Sequence, residues 1–148
     1  MFKHILIPTD GSKTADKAVR NGIKLAKQLG AKVTGYYAIE PVPATIYGEG
    51  WGYGPRGGAG RVEANLRRAG EQVVAQMART AKAAGVPFQA IVAKADSPYK
   101  GIVEAAKKRK CDAIFMASHG RGGLAELVMG SVTQKVLAHS KIPVLVYR

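Results

Sequence analysis

Short apolar runs rich in β-branched residues alternate along the chain with longer stretches of helical period. Five runs are predicted to be strands: Lys3–Thr9, Lys32–Ile39, Pro87–Ala93, Asp112–Ala117 and Ile142–Tyr147. This alternation predicts βαβ units, and therefore an α/β fold with a largely parallel sheet covered by helices on both faces. The near-continuous apolar character of the fourth and fifth runs is typical of strands buried on both sides.

Helices are predicted between the strands. In the first, Ser12 is the expected N-cap, Gly30 is the expected stop, and small or apolar residues recur at three-to-four spacing between them. Further helices are predicted over about 61–84, from Ser97-Pro98 to about Lys110, and from Ser131 to near Ser140. A glycine-rich loop, Gly48–Gly60, precedes the second helix.

Composition limits the class of protein. The 148 residues, 47% of them hydrophobic and 22% charged, fit one globular domain over 1–148. No apolar run approaches the roughly 18 residues of a membrane span, and the amino-terminal segment does not resemble a signal peptide. The lone Cys111 cannot form an internal disulfide and is interpreted as an inert core residue. We therefore expect a cytoplasmic protein that makes no use of a membrane.

The net charge of +13 is the unusual global feature, and it predicts attraction to anions. Five cations of the first helix fall on one face: Lys13, Lys17, Arg20, Lys24 and Lys27. They fit either a nucleic-acid footprint or the solvent side of an amphipathic helix. Because basic residues decorate every long helix, the solvated surface is the favoured interpretation and nucleic acid is the lesser alternative.

Several familiar sites are absent from the sequence. It has no phosphate-binding G-x-x-x-x-G-K-[ST] loop and no G-x-S-x-G nucleophile elbow. The stretch Gly52–Gly57 matches G-x-G-x-x-G, but no strand precedes it and Pro55 interrupts it, so we interpret the match as chance. The three histidines lack companions at metal-ligand spacing, so no metal is assigned to protein ligands alone.

The informative segment follows the fourth predicted strand. A glycine-rich loop, Gly120–Gly123, follows the carboxyl end of that strand, where open parallel sheets bind ligands. Gly130-Ser131 then opens a helix whose free N–H groups and dipole favour phosphate, and Arg121 adds a cation. The segment predicts a phosphate cradle. The alternative is that Ser131 begins an S-x-x-Q capping box and only caps its helix.

Asp10 directly follows the first predicted strand, at the same edge of the predicted sheet. Its carboxylate could bind a ribose hydroxyl or help to hold a metal-bound phosphate, or it could only form an Asx turn between strand and helix. If the first and fourth strands are neighbours, Asp10 and the glycine loop share one crevice.

These residues resemble a known family. The opening ILIPTDGS, the segments MASHGRGG and VMGSVTQKVL, and the closing IPVLVYR resemble universal stress proteins, and the likeness covers essentially the whole chain. The nucleotide-binding branch of that family carries G-x-x-G, nine residues, then G-[ST]. The nine-residue spacing is present from Gly120 to Gly130-Ser131, but Ala117 replaces the first glycine.

The resemblance implies a five-stranded parallel sheet of order 3-2-1-4-5 in a Rossmann-like fold of the adenine nucleotide α-hydrolase type. It implies that ATP, or ADP or AMP, binds at the carboxyl edge with Mg²⁺ on the phosphates. Adenine would lie near Pro8, Thr9, Asp10 and the backbone of Ala38. The implied phosphate-binding and pocket-lining residues are Met116, Ala117, His119, Gly120, Arg121, Gly123, Gly130, Ser131 and Val132. A homodimer through Ile142–Tyr147 is also implied.

Three functions remain open from the sequence. The favoured one is a regulatory stress-response protein that binds an adenine nucleotide without an evident catalytic base. The second is a slow ATPase or self-phosphorylating enzyme, with Asp10, His119 or Ser131 near the phosphates. The third is a basic scaffold that binds acidic macromolecules without any nucleotide.

Overall fold

Five parallel strands form the centre of the molecule. The computed structural model describes residues 1–43, 58–121 and 128–148. The strands are β1 (His4–Thr9), β2 (Lys32–Ile39), β3 (Phe88–Lys94), β4 (Ala113–Ala117) and β5 (Val144–Tyr147). They form one sheet in the order β3-β2-β1-β4-β5, so the predicted order 3-2-1-4-5 is confirmed. Each observed strand lies within two residues of its predicted bounds.

Helices cover both faces of this sheet. They are α1 (Lys13–Leu29), α2 (Gly58–Ala84), α3 (Pro98–Lys108) and α4 (Ser131–His139). Side chains of α1 and α2 pack on one face around Val33, Ala113 and Phe115, and those of α3 and α4 pack on the other around Leu6, Ile114 and Met116. Successive β4 residues therefore point into opposite cores, as the period of two in a strand requires.

Both ends of α1 follow the sequence prediction closely. The Ser12 hydroxyl accepts a hydrogen bond from Ala15 N, and Gly30 adopts a left-handed conformation with φ 63°. The five predicted cations of this helix are all exposed, while Ala15, Ala18 and Ile23 are buried. These cations therefore lie on the solvent side of an amphipathic helix, and their exposure is compatible with either interpretation.

The predicted N-cap of α3 is confirmed, whereas the alternative capping box at Ser131 is wrong. Ser97 stands at the N-cap of α3, but its hydroxyl makes no capping bond. Gly130, not Ser131, is the N-cap of α4, and Gln134 Nε2 donates to the carbonyl of Met129, 2.7 Å away. Ser131 is therefore the first helical residue and forms no capping box. The reason is tertiary, because Gly130 N donates to Ser118 O at 2.8 Å and fixes where the helix begins.

The predictions also differ from the structure at two other places. The helix α2 begins at Gly58, three residues before the predicted Arg61. All five β4 residues are buried as predicted, whereas β5 is an edge strand whose four residues are only half-buried. An apolar composition does not distinguish a central strand from an edge strand that leaves one side open. None of the described helices has the length and hydropathy needed to cross a membrane.

Candidate functional site

A cleft of about 550 Å³ opens at the carboxyl edge of the sheet. The parallel pairing of β1 with β4 places the end of β1 beside the loop that leaves β4. The walls are completed by the end of β2 and by the first residues of α3 and α4, which contribute Pro98 and Ser131 among others. This is the position at which open α/β sheets bind ligands, because the strand order reverses between β1 and β4.

The predicted site residues converge on this cleft. Every one that falls within the described ranges lines it: Pro8, Thr9, Asp10, Ala38, Met116, Ala117, His119, Gly120, Arg121, Gly130, Ser131 and Val132. Gly123 lies outside the described residues, as do its neighbour Gly122 and residues 48–57 of the predicted glycine-rich loop. The crevice that the sequence predicted between Asp10 and the glycine loop is therefore present in the fold.

The carboxylate of Asp10 joins the two strand ends. Its Oδ1 accepts from Ser12 N at 2.9 Å, which is the Asx turn, and its Oδ2 accepts from Arg121 N at 2.9 Å. Gly120 lies against the same carboxylate, and a Cβ built on Gly120 would stand only 2.2 Å from Oδ2. Glycine is thus required here by close approach. Asp10 acts first as a structural clasp, with lone pairs left for a ligand.

The Arg121 side chain turns back across the cleft. Its Nη2 donates to the carbonyl oxygen of Asp10 and lies 3.4 Å from the hydroxyl of Tyr37. The sequence predicted a cation here, and the structure shows its side chain hydrogen-bonded to the end of β1. The exposed guanidinium keeps its charge at the cleft and has further N–H donors for an anion.

The start of α4 faces the cleft with its backbone donors open. Gly130 at the N-cap has no side chain, and no side-chain capping bond forms. The first N–H groups of a helix have no partner within the helix, and the described residues supply no acceptor to those of Ser131 and Val132, which can therefore donate to an anion. The buried hydroxyl of Thr133 donates to Ala117 O at 3.0 Å and holds this helix start against the end of β4.

Ala117 occupies the position of the missing motif glycine. It is the last residue of β4, pairs with Tyr147 of β5, and is 8% exposed. Among the described non-glycine residues only Lys110 has a positive φ, so the backbone at Ala117 does not demand glycine. The Ala117 methyl packs in the core on the α1 side of the sheet. The departure from the motif therefore introduces no backbone strain.

The structure adds lining residues that the motif did not indicate. Tyr36 and Tyr37 of β2, Leu66 of α2 and Ile102 of α3 all line the cleft. Burial, with a smaller contribution from the Glu104 carboxylate, raises the pKa of the Tyr36 hydroxyl, which stays neutral at physiological pH. The sequence did not mark these four residues as pocket residues, because aromatic and aliphatic side chains in strands and helices are equally typical of a core.

The polar groups at the cleft supply donors more than bases. His119 Nδ1 lies 3.0 Å from Ser118 Oγ, which orients its ring. Within the described ranges no three His, Cys, Asp or Glu residues are grouped to hold a metal ion. The arrangement can therefore bind an anion through backbone N–H groups and Arg121 beside an apolar pocket.

Comparison with known proteins identifies the family. The model of the universal stress protein family matches residues 1–148. This chain belongs to that family. A universal stress protein of Thermus aquaticus is 32% identical over 148 residues, covering all of both chains. One from Methanocaldococcus jannaschii is 30% identical, covering all of this chain and 83% of its relative.

Solved structures agree with this membership. A Methanocaldococcus jannaschii protein whose biochemical function was assigned from its structure superposes with a TM-score of 0.82, with 27% identity and coverage of 99% of this universal stress protein and 95% of that chain. The universal stress protein of Lactobacillus plantarum gives 0.81 at 20% identity, covering 99% and 97%. Some structural neighbours were solved with nucleotides, among them a universal stress protein in complex with cAMP at a TM-score of 0.68, 24% identity and coverage of 99% and 97%.

Proposed function

We propose that this universal stress protein binds an adenine nucleotide, with ATP the first candidate, in the cleft at the carboxyl edge, and acts by binding. The observation that carries the proposal is the open start of α4, where N–H groups without a capping side chain face a cleft of about 550 Å³. That volume suits a small-molecule ligand. The proposal treats residues 1–148 as one domain. The cytoplasmic location of the protein stays a prediction.

The two halves of the cleft suit the two halves of a nucleotide. Pro8, Ala38 and Met116 provide an apolar wall where a base can stack, beside the polar end of β1. At the start of α4, Gly130 has no side chain and Ser131 provides a backbone donor for phosphate, and the Arg121 guanidinium, held at the end of β1, adds a cation. Phosphates held there would carry Mg²⁺ as their own counter-ion, with Asp10 as the nearest carboxylate. Universal stress proteins in complex with cAMP and with dAMP have the same fold, which supports an adenine nucleotide as the ligand class.

Binding is favoured over efficient catalysis because the side chains that could act as a base already make hydrogen bonds within the protein. Both oxygens of Asp10 already accept backbone N–H groups, and Nδ1 of His119 lies against Ser118. Efficient phosphoryl transfer needs a positioned nucleophile and several charge clamps. We therefore expect ATP to remain intact for many binding lifetimes, and slow hydrolysis or self-phosphorylation is the alternative that long incubation tests.

The test is calorimetric titration with ATP and MgCl₂, with adenosine and inorganic triphosphate as separate probes. We expect ATP to bind more tightly than either fragment, because each fragment uses only half of the cleft. Failure of ATP and ADP to bind at millimolar concentration would overturn the proposal. Conversion of ATP to ADP or to phosphoprotein, followed by chromatography and mass spectrometry, would replace binding with the enzymatic alternative.

The proposal includes a homodimer through β5. This strand pairs with β4 on one side and lies at the sheet edge, and its four residues are half-buried. Leu137 of α4, the helix that precedes β5, is 41% exposed. Because Ser118 N donates to Tyr147 O, alternation turns the backbone groups of Val146 away from β4. Val146→Pro therefore removes an outward donor while leaving the sheet ladder intact. Sedimentation should show a dimer for the parent chain and a monomer for this variant.

A further inference from the structure

The opposite, amino edge of the sheet carries a dense group of cations. The four helices end there, and the next strands begin there after short turns. We call this surface the basic edge; its nine members, all exposed, are Lys3, Lys27, Lys32, Lys82, Lys107, Lys108, Arg109, Lys110 and Lys141. Backbone bonds from Lys32 N to Lys3 O and from Asp112 N to His4 O hold the strand starts side by side.

These cations are not neutralised within the described part of the chain. The ion pairs found there are Arg20 with Asp16 and Lys94 with Glu63, and neither involves the basic edge. Among the described residues the carboxylate at this edge is that of Asp112, and both its oxygens accept backbone N–H groups, from Lys3 at 2.8 Å and His4 at 3.0 Å. The charges of Lys32 and Arg109 reach buried His4 and help to lower its pKa, which places both near the same point.

Helix dipoles account for only part of this charge. Each helix end carries about half a negative charge, so four ends attract about two cations. The nine positive charges exceed the sum of the Asp112 charge and the partial charges of the helix ends. The remaining positive charges repel one another. Such an excess costs stability and is explained by an external polyanion.

Lys110 provides an independent observation. Helices α1, α2 and α3 end in the same hydrogen-bonded turn, in which one residue is left-handed. It is Gly30 with φ 63° and Gly85 with φ 72°, each directly after its helix, and Lys110 with φ 54°, which follows Arg109 at the C-cap of α3. Glycine adopts this conformation without strain, whereas lysine does not. A lysine held in a strained conformation at the centre of the basic edge indicates a requirement other than folding.

We propose that the basic edge binds the phosphodiester backbone of double-stranded nucleic acid, without reading its sequence. Five strands spaced by about 4.8 Å make this edge about 20 Å wide, and a duplex presents one phosphate charge per roughly 1.7 Å of axis, or about 12 charges over that length. Phe2 and Phe88 lie at the strand starts of this edge and both pack against the core, so they offer no stacking surface to single-stranded bases. The exposed large apolar side chains described near this edge are Met1 and Leu137, and two isolated side chains do not form the apolar face that a membrane-surface helix buries.

The experiment measures anisotropy of a labelled random-sequence 20-base-pair DNA duplex at several salt concentrations. The test variant carries Lys32→Gln, Lys108→Gln and Lys110→Gln; the matched control carries Lys13→Gln, Lys17→Gln and Lys100→Gln, three exposed cations toward the other edge. Both variants lose the same charge. At about 0.1 M salt we expect the test variant to lose about 100-fold in affinity, and the slope of log K against log salt to fall by between about 2 and 3. The control should change by less than about threefold.

Lys110→Gly separates binding from folding. It removes one phosphate contact and also relieves the left-handed strain, so we expect about eightfold weaker duplex binding with an unchanged or higher melting temperature. Equal losses in the test and control triples would show that only net charge matters and would overturn the proposal. So would absence of duplex binding at 50 mM salt, or binding to phosphatidylserine vesicles without binding to DNA. ATP binding at the other edge is measured separately, so the two proposals stand or fall independently.

Discussion

At the carboxyl edge of the sheet, few formal charges surround a deep cleft, whereas at the amino edge nine exposed cations stand on a surface of tight turns. Both edges suit anions, but by different physics. The cleft offers directed N–H groups at the start of α4 and the guanidinium of Arg121, which favour one small ligand in one orientation. The basic edge offers long, flexible side chains and undirected charge, which favour a large polyanion in many registers.

The difference follows from the polarity of a parallel α/β fold. Every βα connection lies at the carboxyl edge and every helix begins there, so loops and positive helix ends collect on one side. The short αβ turns and negative helix ends collect on the other. A basic residue at a helix end stabilises the dipole, so cations accumulate at the amino edge for structural reasons first. Their number at this edge exceeds that need.

The largest effect that should separate the edges is at the start of α4. Ser131→Glu places a carboxylate at the first helical position, where it favours the helix dipole but repels phosphate. We expect ATP affinity to fall about 30-fold, by about 2 kcal/mol, with no loss in melting temperature. Calorimetry and thermal unfolding measure both.

Ser131→Ala is the matched control, because it removes only the hydroxyl and should change affinity by less than about threefold. If the glutamate variant binds ATP like the parent chain, the phosphates do not lie at α4.

The clasp between the two strand ends is the next test. Gly120→Ala would bring a methyl group within 2.2 Å of Asp10 Oδ2, so the carboxylate must leave its contact with Arg121 N. We expect about tenfold weaker ATP binding and unchanged duplex binding at the basic edge. A loss at both edges would indicate general unfolding, which circular dichroism would detect.

Ala117 tests the motif itself. Restoring the family residue by Ala117→Gly removes a methyl from a residue that is 8% exposed and adds chain entropy to the unfolded state. We expect the free energy of unfolding to fall by about 1–2 kcal/mol in urea titration, with ATP affinity changed by less than about threefold. A gain of tenfold or more in affinity would mean that the methyl obstructs the ligand.

At the basic edge the expected stability effect has the opposite sign. Lys110→Gly should raise the free energy of unfolding by about 1 kcal/mol, because φ 54° is strained for lysine and free for glycine. The same urea titration measures it. Gly30→Lys at the equivalent turn of α1 is the inverse control and should destabilise by a similar amount; equal stability in all three proteins would remove the argument from strain.

The smallest predicted effect concerns His4 below the basic edge. Its Nε2 lies 2.7 Å from Thr34 Oγ1, and burial, followed by the charge of Lys32, lowers its pKa. The unfolded chain then binds a proton first as pH falls, so this contribution to stability is present above about pH 6.5 and lost below it. The difference in stability between the parent chain and His4→Asn should therefore shrink as pH falls from 7 to 5. A pH-independent difference would contradict a neutral buried His4.

Much of the fold could be predicted from local signals. Ser12 and Gly30 bound α1 because capping and left-handed turns depend on near neighbours. The apolar runs located the strands, since burial between two helical layers demands them. The half-buried state of β5 could not be predicted from its composition, which is that of a strand buried on both sides. Its edge position came from the family resemblance, which implied the order 3-2-1-4-5.

The sequence by itself determined the elements, the glycine spacing and the excess of positive charge, because these depend on residues close together in the chain. The family resemblance implied that β1 pairs with β4, but only the tertiary structure showed that Asp10, Gly120 and Arg121 form one clasp at that pairing. The tertiary structure also decided that Gly130, tied to Ser118, caps α4 in place of Ser131, which leaves the helix start open to an anion. Nine of the 23 lysine and arginine residues, which look evenly scattered along the sequence, lie at one edge, because the helices end and the next strands begin there. Long-range pairing creates both surfaces, and no local pattern encodes it.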